Sequence, residues 1–74
     1  MTSMQYLDKA SEELLCPFRN PSSLDLGSKD LQTIYDWLKL NDFKQHKRIK
    51  HRWVNEKDGA ILLFDSIGGF LFFY

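Results

Sequence analysis

Ala60-Ile-Leu-Leu-Phe-Asp-Ser-Ile-Gly-Gly-Phe-Leu-Phe-Phe-Tyr74 decides the fold. These fifteen residues hold four of the six phenylalanines and a single charge, Asp65. Gly68-Gly69 splits them into two short apolar runs, and paired glycines supply the positive φ angles that a tight hairpin turn needs. The stretch reads as two antiparallel strands, one from about Ala60 to Ser66 or Ile67 and one from Phe70 to Tyr74. Along the first, Ala60, Leu62 and Phe64 alternate with Ile61, Leu63, Asp65 and Ile67. Along the second, Phe70, Phe72 and Tyr74 alternate with Leu71 and Phe73. Both faces of this sheet are therefore apolar.

Immediately upstream, Asn55-Glu-Lys-Asp-Gly59 is a turn, with Asp58-Gly59 its strongest signal. Before it, the residues from Arg48 to Val54 alternate. Ile49, His51 and Trp53 point one way while Arg48, Lys50 and Arg52 point the other. This predicts a half-buried strand with Trp53 and His51 in the core and Arg52 on a basic outer face.

Two helices precede the strands. Thr2 or Ser3 can cap the first, with Met4, Leu7, Ser11, Leu14 and Leu15 along one face. Pro17 disfavours helix at the residue before it, so this helix stops near Leu15. Ser28 caps the second helix, where Leu31, Ile34, Tyr35 and Leu38 follow helical spacing and Trp37 with Leu40 widens the stripe. Asn41 suits the helix end. Between the helices, Pro17 to Gly27 carries the turn signal Asn20-Pro21, yet Phe18, Leu24 and Leu26 make it an ordered connection tucked against the core.

The expected fold is α+β: a small single domain, residues 1–74, with two helices packed on one face of a three-stranded antiparallel meander (α-α-β-β-β). A rival reading continues helix from Asp42 through Arg52, giving a helical trio with a terminal hairpin, as in winged helices.

Composition narrows the class. At 43% hydrophobic and 15% aromatic, the chain can bury a core and is not disordered. Cys16 is alone, which excludes a disulfide framework and a cysteine metal site and makes it a small buried hydrophobe. No apolar run approaches the roughly 20 residues of a spanning helix, and no signal peptide is visible, so a cytoplasmic, reducing setting without membrane contact is expected. The formal net charge is zero but unevenly spread, with five basic residues in the nine positions from Lys44 to Arg52.

No catalytic constellation emerges. Gly68-Gly69 lacks the following helix that a phosphate loop requires. His46 and His51, five apart, share neither a helix face nor a strand face, so they do not form a metal pair. Glu12-Glu13 reads as a solvated face. The expectation is a non-enzymatic protein with no cofactor and no metal.

One local pattern resembles a known family. Ser28-Lys-Asp-Leu31, a helix ending near Asn41-Asp-Phe43, and basic residues with a histidine before a hairpin resemble the start of HicA-type toxins. Those are small RNA-cleaving proteins with a double-stranded-RNA-binding-like fold. The likeness covers about half the chain and implies a ribonuclease role for His51. Arg48-Ile-Lys50 replaces the Gly-Ser-His context of that family, and the chain is expected to end before that family's C-terminal helix could form.

Two features carry functional content. Lys44, Lys47, Arg48, Lys50 and Arg52 form a basic strip able to neutralise phosphates or meet an acidic protein. The second is the surplus apolar surface around Phe70, Phe72 and Tyr74, whose strand a meander leaves as an unguarded edge. That edge suits a symmetric homodimer or another protein's strand. The leading expectation is a small binding protein that regulates or inhibits a protein partner, of adaptor, antitoxin or phage-inhibitor type. Nucleic-acid binding through the basic strip is the alternative.

Overall fold

The computed structural model describes residues 1–27 and 29–73. Their element order is α1 (Ser3–Leu14), β1 (Phe18–Asn20), β2 (Ser23–Asp25), α2 (Leu31–Leu40), β3 (Phe43–Gln45), β4 (Arg52–Asn55), β5 (Ile61–Asp65) and β6 (Phe70–Phe73). All six strands join one sheet in the order β1-β2-β6-β5-β4-β3, every pairing antiparallel. The domain is α+β with two helices, but the sheet has six strands instead of the expected three.

Each element has a local cause. In α1, the Thr2 hydroxyl accepts from the Gln5 N–H while the Gln5 side chain accepts from the Thr2 N–H, a reciprocal capping box. The helix stops at Leu15, which takes a left-handed φ of 55° two residues before Pro17 and is 83% exposed. It therefore does not share the buried face of Leu7, Ala10 and Leu14. Asp30 occupies the cap position of α2, and the expected Ser28 cap lies outside the described residues. Ile34, Trp37 and Leu38 face inward, whereas Leu31 and Leu40 are exposed.

The two short hairpins enlarge the sheet. Pro17 to Gly27 is no loop: it forms β1 and β2, turned at Asn20, whose side chain accepts from the Ser22 N–H. Leu24 and Leu26 are buried as expected, and Phe18 packs against the core. β2 then pairs with β6, so Leu24 lies opposite Leu71. At the far side, β3 and β4 pair through Phe43 with Asn55 and Gln45 with Trp53. Arg48, Ile49 and Lys50 lie in the loop of that hairpin, which corrects the expected strand over Arg48 to Val54, and β3 with this loop corrects the rival helix from Asp42 through Arg52. His51 is exposed, not core. Only Trp53 and its strand neighbours keep the alternation, with Trp53 buried and Arg52 half-buried on the opposite face. The β5–β6 turn falls at the expected place but is wider, spanning residues 66–69, because β5 stops at Asp65 short of the expected Ser66 or Ile67. Of the glycine pair only Gly69 takes a positive φ, +76°, and the N–H groups of Ile67 and Gly68 donate to the Asp65 carboxylate.

α1 lies against β2 and β6, and α2 against β3. Together they cover one face, where Leu24, Phe43, Trp53, Leu62, Phe64 and Leu71 are all buried.

A polar junction ties this layer together. Asn55, 2% exposed, donates to the Tyr6 hydroxyl at 3.0 Å and the Asn41 carbonyl at 2.7 Å. The Tyr6 hydroxyl donates in turn to Asp58 at 2.7 Å. That bond, followed by the Ala60 N–H, holds the Asp58 carboxyl down to about 2 from an ordinary 3.8. Burial first, and then the Asp58 bond and charge, push Tyr6 up to about 12. Because the folded pKa of Asp58 lies below its unfolded one, its contribution is present above about pH 4 and lost as pH falls toward 2. For Tyr6 the contribution is complete below pH 10 and lost as pH rises through about 12. Urea midpoints measured against pH should show both limbs. Asp58→Asn is expected to flatten the acid limb, and an unchanged acid limb would remove the Tyr6–Asp58 bond from this account.

Candidate functional site

Among the described residues no helix lies on the sheet's other face. Strand register places its side chains in rows, because residues paired across an antiparallel ladder share a face. Ser23, Phe72, Leu63 and Arg52 form one row across β2, β6, β5 and β4. Asp25, Phe70 and Asp65 form a second. Ile61, Val54 and Lys44 form a third. The centre of this face is thus Phe70, Phe72, Leu63, Ile61 and Val54, each half-buried. Arg19 of β1 lies over the Phe70 ring at 5.1 Å, a cation–π contact closing one side. Beside it a cleft of about 520 Å³ opens between Arg19, Ser23, Phe70 and Phe72.

The opposite margin is basic. Lys44 stands on β3, and the loop to β4 displays Lys47, Arg48 and Lys50, all exposed. Side chains brace this loop. The His46 Nδ1 accepts from the N–H groups of Arg48 at 3.1 Å and Ile49 at 3.0 Å, and the Gln45 amide donates to the Lys50 carbonyl at 2.7 Å. With its Nδ1 committed to the backbone, His46 is part of the loop's frame. A cleft of about 380 Å³ lies between this loop and Val54.

Of the site residues expected from sequence, the structure brings Lys44, Arg52, Phe70 and Phe72 onto one face, with Lys47, Arg48 and Lys50 at its margin. Tyr74 lies outside the described residues. The expected docking edge is corrected: β6 is bonded to β2 on one side and β5 on the other, so no partner strand or second copy can pair with it. The true edges are β1 and β3, each three residues long. Arg19, Ile61, Leu63 and Val54 were not among the expected site residues, although the alternation of Ile61 and Leu63 marked them as one face.

Other chemistry is sparse. Burial pushes the Cys16 thiol up, keeping it protonated. Among the described residues no group of three His, Cys, Asp or Glu side chains could hold a metal, and no helix is long and apolar enough to cross a membrane. No protein-family model matches the chain, and comparisons with curated proteins and with solved structures give no match.

Proposed function

We propose that this protein is a non-enzymatic binding module that sets the open face of its sheet against an apolar, carboxylate-fringed surface of a partner protein, and so regulates or inhibits it. The observation that carries this reading is the contiguous set Phe72, Leu63, Ile61 and Val54 on the face opposite both helices. A contiguous apolar patch rimmed by polar groups marks an interaction surface. The cations along one margin supply charge complementarity to an acidic fringe and would speed encounter.

Nucleic acid is the second reading, favoured by Phe70 and Phe72, two residues apart on the face that also carries Lys44 and Arg52. Aromatic rings on an open sheet can stack bases. Three of the five central side chains are aliphatic, however, and these bury well against protein but do not stack.

The test is capture from native lysate with wild type, Leu63→Lys and the loop variant Lys47→Glu/Arg48→Glu, each shown folded by a melt. One and the same protein should be retained by wild type regardless of nuclease. Leu63→Lys should weaken it about 30-fold or more, as for a central interface residue. Capture abolished by nuclease would transfer the reading to nucleic acid. A doubled mass that Leu63→Lys returns to monomer would make a second copy the occupant and overturn it.

A further inference from the structure

We infer that the cleft between the β3–β4 loop and Val54 is an anion-accepting subsite of the docking face, and that its occupant is an acidic, apolar stretch of protein chain. The inference rests on the docking reading above and specifies the partner's chemistry. Lys44, Lys47 and Arg48 line this cleft of about 380 Å³, with the half-buried Val54 and with Glu56 on its wall. Among the described residues the ion pairs are Met1 with Asp58 and Lys57 with Asp42, and none involves these three cations. Three like charges held around one cleft repel one another, and an entering anion relieves that repulsion.

The loop's frame makes this more than a chance run of basic side chains. Two backbone N–H groups on the His46 Nδ1, the Gln45 bond to the Lys50 carbonyl, and the His46 N–H on the Arg52 carbonyl at 2.7 Å fix the loop backbone. No intramolecular carboxylate takes part. The loop backbone that carries the cations is therefore fixed without a counter-ion, and on binding only their side chains remain to be ordered.

The surroundings favour carboxylates of a protein over phosphates of a nucleic acid. Val54 and Lys44 belong both to the cleft and to the row Ile61–Val54–Lys44 on the open face. An occupant that puts a carboxylate among the cations thus meets Val54 and Ile61 next. The rings that could stack bases, Phe70 and Phe72, stand on β6, separated from β4 by β5. Glu56 on the wall would repel an unbroken polyanion but tolerates separated carboxylates.

The experiment is an amide-resolved NMR titration with three probes: a short peptide alternating aspartate with leucine, its lysine–leucine counterpart, and a short oligouridine. The aspartate peptide should shift Lys44, Arg48 and Val54, and weaken as salt rises. Lys47→Glu/Arg48→Glu, both exposed positions, should cut its affinity about tenfold or more and let the lysine peptide bind in its place. Oligouridine binding more tightly at the same amides would overturn the inference, as would aspartate-peptide binding indifferent to the double variant, or no shift with any probe. If Leu63→Lys abolishes peptide binding while the loop variant leaves it intact, the docking face survives and the subsite falls.

Discussion

Trp53→Ala should cost about 3–5 kcal/mol of stability, the range for truncating a buried aromatic side chain. Trp53 is 4% exposed on the helix-covered face of β4, opposite Leu62 on one neighbouring strand and Gln45 on the other. Its ring stacks on Tyr35 of α2 at 5.7 Å with 28° between planes, so its loss opens a void between sheet and helix. A domain of this size has roughly 4–11 kcal/mol in total, so the variant should stand near the edge of folding. Val54→Ala, one residue along and half-buried on the open face, should cost less than about 1 kcal/mol because little apolar surface is lost. Urea midpoints of the two variants check this directly. Equal losses would mean that the faces of β4 are wrongly assigned. Trp53→Phe should recover part of the deficit by keeping a ring against Tyr35.

The fold class was legible where hydrophobic periods were long enough to read. The helix stripe Ile34, Trp37 and Leu38 and the alternation through Leu62 and Phe64 both appear in the core as expected. Legibility failed where elements are short. β1, β2 and β3 have three residues each, too few for a period of two to stand out from a loop. Asn20-Pro21 was readable as a turn, but nothing local says that the chain on either side pairs. Those missing strands also explain why β6 looked like an edge. Its second partner, β2, comes from a segment more than forty residues upstream, and register across that distance is a tertiary outcome.

The basic run misled for a related reason. Arg48 to Trp53 alternates like a strand, yet β3 and β4 must turn back on each other within that interval. The deciding contact is the His46 Nδ1 accepting two backbone N–H groups, which closes the loop and leaves His51 exposed. Surplus apolar surface, by contrast, was visible from the alternation of β5 and β6 alone. Its face could be chosen only once the Pro17–Gly27 hairpin was seen to widen the sheet without covering it.

Asn55→Leu should cost about 3 kcal/mol even though the side chains are similar in size, because Asn55 is a fully used hydrogen-bonding centre. Its amide donates to the Tyr6 hydroxyl and the Asn41 carbonyl, and its oxygen accepts from the N–H groups of Lys57 at 2.9 Å and Asp58 at 3.1 Å. One side chain thus joins α1, the end of α2 and the β4–β5 turn. An apolar replacement leaves the Asn41 carbonyl without this donor and frees the turn, each a cost that tight packing does not return. Asn55→Asp separates the two halves of that role. It keeps the acceptor for the turn but sets a carboxylate against the Asn41 carbonyl and beside Asp58. At neutral pH it should therefore be no more stable than Asn55→Leu. A protonated carboxyl could donate to the Asn41 carbonyl, so the folded state raises this group's pKa and the variant gains on wild type as pH falls from about 7 toward 4. Urea midpoints across that range give the result. A gap between Asn55→Asp and wild type that stays constant with pH would show that the donor bonds of Asn55 do not hold the junction.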